Sequence, residues 1–208
     1  MRIGIIGSGN IGSTAARLFV DAGHEVAIAN SRGPESLADL VADLGEGARA
    51  ATVEEAASFG EAVLVAIPFG RYPDLPAALL ADRVVIDAMN YYPNRDGNIA
   101  ELDDDTTTST ELLAAHAPQA RAVKAFNTMN YRILRDRGKP GGGEDRLAMF
   151  AAADDPEAKA LASGLIEEIG FAPVDTGPLG EGGRRQEPGE PIYNAPMTAP
   201  EAERALAP

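Results

Sequence analysis

The amino-acid sequence predicts an α/β fold, with one doubly wound, mostly parallel sheet, helices on both faces and no large C-terminal helical domain. The first observation is that short apolar runs alternate with segments of helical periodicity along most of the 208 residues, as in parallel α/β sheets. The second is that AVLVAI, residues 62–67, is continuously apolar, as expected for a strand covered on both faces. The third is that the first run leads directly into a glycine-rich turn and a helix.

Strands are predicted where short runs rich in apolar residues are bounded by glycine, proline or polar residues. The predicted strands cover residues 2–6, 25–29, 48–51, 62–67, 83–88, 120–126, 147–152 and 172–176. The third of these is the weakest. Because helical segments separate most of the strands, we expect the strands to pair in parallel.

Helices are predicted from apolar residues that recur every three or four positions and from the residues that commonly start or stop a helix. Leucine and valine follow this spacing from residue 37 to residue 44, and Gly45 then closes the helix. Thr52 and Glu55 have the spacing of a capping box. The predicted helices cover residues 11–22, 34–44, 52–59, a segment between the fourth and fifth strands, residues 111–116 and residues 157–169.

Residues 132–146 show neither the helical nor the strand period, and the end of the chain has a biased composition. Residues 132–146, RILRDRGKPGGGEDR, are charged and glycine-rich, which predicts a long exposed loop that is either disordered or covers an active site. The chain after Gly177 is rich in glycine, proline and glutamate. We therefore predict one domain, in which residues 1–179 form the folded unit with its substrate rim and residues 180–208 form a Gly/Pro-rich C-terminal tail.

The composition argues against several classes of partner. The formal net charge of −14 disfavours nucleic acids and anionic membranes through repulsion. The longest apolar runs are far shorter than a membrane span, and the first strand begins too early for a signal peptide. The sequence has no cysteine for disulfides or thiolate chemistry, so we expect a cytoplasmic protein.

The glycine-rich turn, residues 7–12, has the sequence GSGNIG, which matches the GxGxxG pattern of Rossmann-type dinucleotide-binding domains. Gly7 permits the tight turn, Gly9 lets a pyrophosphate approach the backbone, and Gly12 allows close contact between helix and strand. Amides at the helix N-terminus then bind the phosphates without a basic side chain. The alternative is a plain glycine turn, which the position between a first strand and a helix disfavours.

Asn30, Ser31 and Arg32 follow the second strand, where chains that bind NAD carry an acid for the ribose hydroxyls. Asn30 removes the negative charge that repels a 2′-phosphate. Ser31 can donate a hydrogen bond to that phosphate, and Arg32 can make a charge-assisted, bidentate contact with it. These residues predict NADP(H) as the cofactor, and the alternative is that Arg32 is a solvated surface residue.

Few side chains are candidates for proton transfer. His24 lies in a helix-to-strand turn and His116 at a polar helix end, so we expect both to be structural. The acidic run 103–105 is expected to be a solvated loop rather than a metal site. Tyr91 and Tyr92 are candidate acids, although hydride transfer between two ring cofactors requires mainly apposition of the rings. We therefore predict no metal site and no dedicated catalytic acid or base.

Several motifs occur in an order that resembles one family. The motifs are IGIIGSGNIG, NSR, VLVAIPF, VVIDAMNYY, VKAFNT and VDTGPL. In this order they resemble the NADP-dependent oxidoreductases of the deazaflavin type, the coenzyme F-420:NADP reductases and their close relatives, from residue 2 to about residue 179. The resemblance implies a single NADP-binding domain, a deazaflavin that lies on the nicotinamide and exchanges hydride with it, and a homodimer.

The resemblance also implies roles for individual residues. Ser8, Gly9, Asn10 and Ile11 hold the pyrophosphate, Ser31 and Arg32 hold the 2′-phosphate, Ile67, Pro68 and Phe69 contact the adenosine-to-ribose side, and Asn90, Ala125, Phe126 and Asn127 line the nicotinamide. For Phe69 the alternative is core filling, and for Asn127 it is a strand-end cap. Arg184 and Arg185 either meet an anionic substrate or are solvated charges of the tail.

Three functions stay open on the sequence. The first is hydride exchange between NADP(H) and a deazaflavin or flavin-like acceptor. The second is NADPH-dependent reduction of another small acceptor, such as a quinone, an imine or a chelated metal. The third is a non-catalytic NADPH sensor whose glycine-rich loop orders when the cofactor binds. In the two enzymatic cases the acceptor is expected at the rim formed by the carboxyl ends of the strands.

Overall fold

The strands of the computed structural model, which describes residues 1–143 and 145–207, lie where the apolar runs predict them. They are β1 (Arg2–Ile6), β2 (Glu25–Ala29), β3 (Ala48–Ala51), β4 (Ala62–Val65), β5 (Val84–Asp87), β6 (Arg121–Ala125), β7 (Ala148–Ala152) and β8 (Ala172–Gly177). The predicted strands are therefore confirmed, with small shifts at their ends.

The helices predicted before β4 are present, although the first turn of the second, Pro34–Leu37, is a 3-10 helix, and several α-helices after β5 were not predicted. The α-helices are α1 (Asn10–Asp21), α2 (Ala38–Leu44), α3 (Val53–Phe59), α4 (Pro93–Asp96), α5 (Ala100–Asp103), α6 (Ser109–His116), α7 (Tyr131–Arg137), α8 (Pro156–Glu168), α9 (Leu179–Arg184) and α10 (Ala199–Leu206). The predicted capping box of Thr52 and Glu55 is present at the start of α3.

The helix predicted between β4 and β5 is wrong. This segment instead forms two short 3-10 turns, Phe69–Asp74 and Ala77–Leu80. Prolines at positions 68, 73 and 76 remove the backbone donors that a continuous α-helix needs, so the apolar residues are buried from short turns instead.

The long loop predicted at residues 132–146 is wrong in its first part, which belongs to α7. The side chain of Asn130 caps this helix by accepting a hydrogen bond from the amide of Arg132, and Leu134 is fully buried. After α7 the chain is held to the turn before β8, because the amide of Lys139 donates to the carbonyl of Gly170 at 2.9 Å. Glu144, in the same predicted loop, lies outside the described residues.

The sheet has the strand order β3-β2-β1-β4-β5-β6-β7-β8. The first six strands are parallel to their neighbours, β7 pairs antiparallel to β6, and β8 runs parallel to β7. Side chains alternate between two apolar cores: Ile3 and Ile5 of β1 lie in one, and Ile6 lies in the other. The predicted doubly wound, mostly parallel sheet with helices on both faces is thus confirmed.

The chain winds in opposite directions from the centre of the sheet, and this positions the site. It passes from β1 outward to β3, then returns to β4 beside β1 and continues outward in the other direction. The connections that leave the carboxyl ends of β1 and β4 therefore run in opposite directions, although the strands themselves are paired there, with Ile6 beside Val65. This is a topological switch point. Open sheets of this kind bind ligands in the crevice at such a point.

The C-terminal segment is folded against the sheet. Thr198 forms an antiparallel bridge with Leu147, and the amide of Ala148 donates to the carbonyl of Met197 at 2.8 Å. Ala202 of α10 is fully buried beside Phe150 and Val174. In the part of the chain described, no helix has the length and apolar character that crossing a membrane requires.

The start of α8 is expected to contribute pH-dependent stability. Asp155 accepts hydrogen bonds from the amides of Glu157 and Ala158 at 2.9 and 3.1 Å, and it pairs with Arg121 of β6. The hydrogen bond from Arg121, and then the helix amides, hold the pKa of this carboxyl well below its usual 3.8. A depressed folded-state pKa gives stabilisation that is complete above that usual value and declines as the pH falls below it.

We therefore expect Asp155→Asn to lower Tm at pH 7. The difference in Tm between wild type and variant should shrink progressively from pH 4 to pH 2, since Asp155 of the unfolded wild-type chain takes up a proton there while the folded carboxyl stays ionised. Thermal melts followed by circular dichroism across this range test it. A difference that is the same at pH 7 and at pH 2 would contradict this account.

Candidate dinucleotide-binding site

The turn between β1 and α1 requires glycine at two positions for packing. Gly7 has φ +113°, and a Cβ added there would lie 2.2 Å from the carbonyl oxygen of Ala66. A Cβ on Gly12 would lie 1.8 Å from the carbonyl oxygen of Gly7. The first glycine therefore permits the turn, and the second permits the close contact of helix with strand.

Gly9 has a different environment, which fits a ligand. It is the N-cap of α1 and provides no side-chain cap for the amides that follow, including those of Asn10 and Ile11. A Cβ on Gly9 would meet no protein atom within 4 Å. The open space that a side chain would fill lies beside uncapped amides at a helix N-terminus, so the turn fits a pyrophosphate.

Asn30 holds the loop after β2 in place. Its Oδ1 accepts from the amide of Arg32 at 2.8 Å, while its Nδ2 donates to the hydroxyl of Ser8 at 3.1 Å and to that of Ser36 at 3.0 Å. The asparagine thus connects the glycine-rich turn to the loop that carries Arg32. An asparagine in the place of the usual acid both removes a negative charge and orients the cationic residue.

A cavity of about 460 Å³ opens above the carboxyl ends of β1, β2 and β4. Its lining residues are Ile6, Gly7, Ser8, Gly9, Asn30, Ser31, Arg32, Val53, Ala66, Ile67, Pro68, Arg71, Asp74 and Leu75. Apolar residues such as Val53 and Leu75 share this lining with Arg32 and Arg71. An apolar wall beside two arginines, with Asp74 as the one acidic residue of the lining, suits an adenine that carries a ribose phosphate.

Phe69 does not line this cavity. Its side chain is fully buried, stacks on Tyr72 with ring centroids 4.9 Å apart and contacts Tyr91 edge to face. Its position fits the core-filling alternative. Ile67 and Pro68, the two residues before it, do line the cavity.

The carboxyl ends of β5 and β6 bring two predicted site residues, Asn90 and Asn127, together. The Nδ2 of Asn127 donates to the Oδ1 of Asn90 at 3.0 Å, and the Nδ2 of Asn90 donates to the carbonyl of Asn127 at 3.0 Å. Phe126 precedes this pair with a φ of +67°, and its ring packs on Phe19 in the core. Ala125, the last residue of β6, is fully buried.

Asn127 also presents a polar atom that fits a ligand. Its side chain is buried and its Nδ2 donates to Asn90 and to the carbonyl of Gln186, yet its Oδ1 has no hydrogen-bond partner among the described residues. Buried acceptors are rarely left unpaired in folded proteins. The strained backbone of Phe126 beside it is typical of a functional position.

Comparison with known proteins assigns the chain to a family. The family model described as NADP oxidoreductase, coenzyme F-420-dependent, matches residues 2–91. A hypothetical protein of Sinorhizobium meliloti, of known structure, is 30% identical over 95% of both chains, with a TM-score of 0.82. An Arthrobacter sp. FB24 protein, to which F-420-dependent NADP reductase activity has been ascribed, is 26% identical over 86% of both chains, with a TM-score of 0.72.

The chain belongs to this family of NADP oxidoreductases. The family predicted from the order of the motifs is confirmed, and the protein is an NADP-dependent oxidoreductase. A reductive aminase from Aspergillus terreus, solved with NADPH, shares the fold at 18% identity and a TM-score of 0.61, over 85% of this chain and 55% of that one. Comparison with curated protein sequences gives no significant match.

The C-terminal segment contributes residues that the sequence did not predict. They lie at the carboxyl ends of β5 and β6 in this oxidoreductase. The hydroxyl of Tyr193 hydrogen-bonds to that of Tyr92 and lies 3.5 Å from the Nδ2 of Asn90. Burial, followed by the hydrogen bond with Tyr92, raises the pKa of Tyr193, so its hydroxyl stays protonated near neutral pH. Tyr193 lies in a turn between α9 and α10, and only the fold places it here.

Tyr91 and Tyr92, the two candidate acids, have different surroundings. The hydroxyl of Tyr91 donates to Asp103 at 2.8 Å and accepts from the amide of Ile99 at 2.9 Å, so it holds the loop after α4. Tyr92 is 36% exposed and makes its hydroxyl contact with Tyr193. Of the two tyrosines, Tyr92 is the one whose hydroxyl is linked to the Asn90–Asn127 pair, through Tyr193.

A buried ion pair lies beneath this edge. Asp87 of β5 and Lys124 of β6 are directly opposite in the parallel register, and the lysine Nζ lies 3.2 Å from the carboxylate. The same Nζ donates to the carbonyl of Met89 at 2.6 Å and to the hydroxyl of Ser109 at 3.1 Å, and Thr110 donates to Asp87 at 2.6 Å. Because Met89 directly precedes Asn90, the ion pair supports the backbone of the site.

Other polar residues that the sequence singled out have structural contacts. His24 contacts Glu168 at 2.6 Å, and His116 contacts the carbonyl of Leu75 at 3.0 Å, as expected for structural histidines. Arg184 donates to Asp105 and Arg185 to the carbonyl of Leu206, so these arginines are not simply solvated charges of the tail but hold it in place. Among residues 1–143 and 145–207, no cluster of three or more acidic or histidine side chains is arranged to hold a metal ion.

Asn30→Asp is expected to shift the cofactor preference towards NADH. The carboxylate keeps an acceptor for the amide of Arg32 but loses the donor to Ser8 and Ser36, and it places a negative charge beside the predicted 2′-phosphate position. We expect the Kd for NADPH to rise by about tenfold or more, in line with the energy of one charged contact, while the Kd for NADH falls or stays constant. Fluorescence titration of both cofactors measures this, and a weaker affinity for NADH of the same size would contradict it.

Proposed function

We propose that this oxidoreductase transfers a hydride between NADP(H) and a deazaflavin, coenzyme F-420, or a flavin-like ring that lies over the nicotinamide. Family membership and the cavity with two guanidinium groups support NADP(H). The observation that carries the acceptor proposal is the chemistry of the Asn90–Asn127 edge, where amides and phenols meet while both histidines are held in contacts elsewhere. Such an edge can orient two rings, and hydride transfer between rings requires little else.

In this proposal the adenosine half of NADP(H) lies at the carboxyl ends of β2, β1 and β4, and the nicotinamide lies at those of β5 and β6. The amides that follow Gly9 bind the pyrophosphate, and Ser31 and Arg32 bind the 2′-phosphate. Ile67 and Pro68 contact the adenosine-to-ribose side. This assignment follows the strand order, since β2 and β4 flank β1 and the glycine-rich turn follows β1.

Asn90 and Asn127 orient the nicotinamide in this proposal. The unpartnered Oδ1 of Asn127 accepts a hydrogen bond from the carboxamide of the nicotinamide, and the pairing with Asn90 fixes the rotamer of both side chains. NADPH supplies the hydride when it is bound. The C-terminal segment, through Gln186 and Tyr193, forms one border of the space available to the acceptor ring.

Multiple-turnover absorbance tests the proposal directly. Purified protein is mixed with NADPH and oxidised deazaflavin coenzyme, with parallel reactions that contain FMN as acceptor or NADH as donor. We expect the deazaflavin to bleach with NADPH and hardly at all with NADH. Absence of bleaching, with NADPH binding confirmed by fluorescence, would leave the nucleotide site intact and rule out the deazaflavin as acceptor.

A second candidate is the reduction of another small acceptor, such as an imine or a quinone, that takes up a proton together with the hydride. The protonated Tyr193 and its partner Tyr92 favour this candidate, because they place a proton donor beside Asn90. General acids contribute about 10²- to 10⁴-fold to rate. Tyr193→Phe is therefore expected to lower the rate of reduction of such an acceptor by about 10²-fold or more. The rate of hydride transfer between two rings should stay within a small factor of wild type.

The homodimer, the cytoplasmic location and the absence of nucleic-acid and membrane partners stay predictions. So does the alternative of a non-catalytic NADPH sensor. Sedimentation velocity with and without NADPH tests the dimer. Limited proteolysis at residues 137–143 tests the sensor, since tight NADPH binding that changes cleavage there, without reduction of any acceptor, is the result that a sensor predicts.

A further inference from the structure

Arg71 stands on the opposite rim of the cavity from Arg32. It belongs to the 3-10 turn Phe69–Asp74 that follows β4, whereas Arg32 follows β2. Only β1 separates these two strands, so their carboxyl ends lie roughly 10 Å apart, twice the spacing of neighbouring strands. Both residues line the same cavity of about 460 Å³, one on the side of β2 and the other on the side of β4.

The ion pair that Arg71 forms with Asp74 is exposed to solvent. The guanidinium group of Arg71 contacts Asp74, three residues later, and the side chains of the two residues are 69% and 60% exposed. Exposed pairs of this kind contribute little to stability. By contrast, Arg184 and Arg121 each make several hydrogen bonds that hold elements of the fold together.

Asp74 lines the same cavity. Its carboxylate neutralises Arg71 when no anion is present, and it repels an anion that enters. A phosphate dianion between the two rims offers Arg71 a stronger, bidentate partner than a single exposed carboxylate does. The chain has a net charge of −14, so an anionic ligand needs this kind of local positive charge.

We propose that Arg71 is a second determinant of NADP specificity. Its guanidinium group gives up its contact with Asp74 and binds the 2′-phosphate from the side opposite Arg32. Asp74 sets the strength of this contact through its competition for the same guanidinium group. The inference rests on the proposed placement of NADP(H) in this cavity and adds to it a residue from a different strand.

Calorimetric titration with 2′,5′-ADP and with 5′-AMP isolates the contribution of the 2′-phosphate, since these ligands differ in that group and carry no nicotinamide. The variants are Arg71→Gln, Arg32→Gln, Asp74→Asn and, as a control for loss of one exposed positive charge, Arg204→Gln in α10. We expect Arg71→Gln to weaken 2′,5′-ADP by about tenfold or more and to leave 5′-AMP unchanged, from the energy of hydrogen bonds to charged groups. Asp74→Asn should strengthen 2′,5′-ADP, and Arg204→Gln should change neither ligand.

Arg71→Lys adds a graded test, because it keeps the charge and loses the bidentate fork, so an intermediate loss for 2′,5′-ADP is expected. Equal weakening of both ligands by Arg71→Gln, or no weakening of either, overturns the proposal. If Arg32→Gln weakens 2′,5′-ADP and Arg71→Gln does not, only the role of Arg71 fails. If wild type does not prefer 2′,5′-ADP to 5′-AMP, the placement of NADP(H) in this cavity fails as well.

Discussion

Arg32→Ala is expected to raise the Kd for NADPH by about ten- to a hundredfold and to leave the Kd for NADH nearly unchanged. Arg32 is exposed at the cavity, and its backbone amide is held by Asn30, so the loop keeps its position when the guanidinium group is removed. Hydrogen bonds to charged groups contribute about 1.5–3 kcal/mol, which corresponds to this range of affinity. Fluorescence titration with each cofactor measures both constants.

The control for this prediction is Arg204→Ala, which removes a positive charge from α10 and should leave both constants unchanged. Raising the ionic strength should weaken NADPH binding to wild type more than to Arg32→Ala, because the lost contact is electrostatic. Equal increases in Kd for NADPH and NADH would contradict the assignment of Arg32 to the 2′-phosphate.

Lys124→Met is expected to lower the free energy of unfolding by about 3–5 kcal/mol. Lys124 and Asp87 are 1% and 0% exposed, so the substitution leaves a carboxylate buried without its cation. Removing one partner of a buried ion pair has a cost of this size. Urea denaturation of wild type and variant measures the difference.

Two further variants identify the cause. Adding Asp87→Asn to Lys124→Met should restore much of the stability, since the amide keeps an acceptor for the amide of Met89 and a partner for Thr110 without a charge. Lys139→Met removes an exposed lysine and should change stability by no more than about 0.5 kcal/mol. A loss for Lys124→Met no larger than for Lys139→Met would contradict the account of the buried pair.

The central strands could be predicted from the sequence because burial on both faces leaves a local signal. Every residue of β4 and β5 is buried, so their sequences AVLV and VVID consist almost entirely of apolar residues. The nucleotide-binding turn is equally local, since Gly7, Gly9 and Gly12 are needed within a single strand-to-helix connection. Burial and backbone geometry determine these residue types.

Elements that depend on a few contacts with distant residues could not be predicted in the same way. In α7 only Leu134 is fully buried, and the surrounding arginines and aspartate hide any helical period. Between β4 and β5, prolines break an apolar segment that otherwise has helical composition. In both cases tertiary packing determines the structure.

The candidate site likewise contains residues that a local pattern predicts and residues that only the fold brings together. Asn30, Ser31 and Arg32 could be predicted to lie together because they are consecutive and follow a strand. Tyr193 lies more than a hundred residues from Tyr92 and Asn90, and no spacing in the sequence connects them. One signal was present for the buried pair: Asp87 ends the otherwise apolar β5, and Lys124 lies between apolar residues of the neighbouring strand β6.

A single-turnover reaction with NADPH deuterated at C4 of the nicotinamide tests the central claim, direct hydride transfer between two rings, most directly. The enzyme is mixed with oxidised deazaflavin coenzyme and with each of the two C4-deuterated epimers of NADPH in turn, and the reduced deazaflavin is analysed by mass spectrometry and NMR. We expect deuterium from one epimer to appear on the ring carbon that accepts hydride, with none lost to solvent. Reduced deazaflavin without label from either epimer, or no reduction although NADPH is bound, would contradict the account.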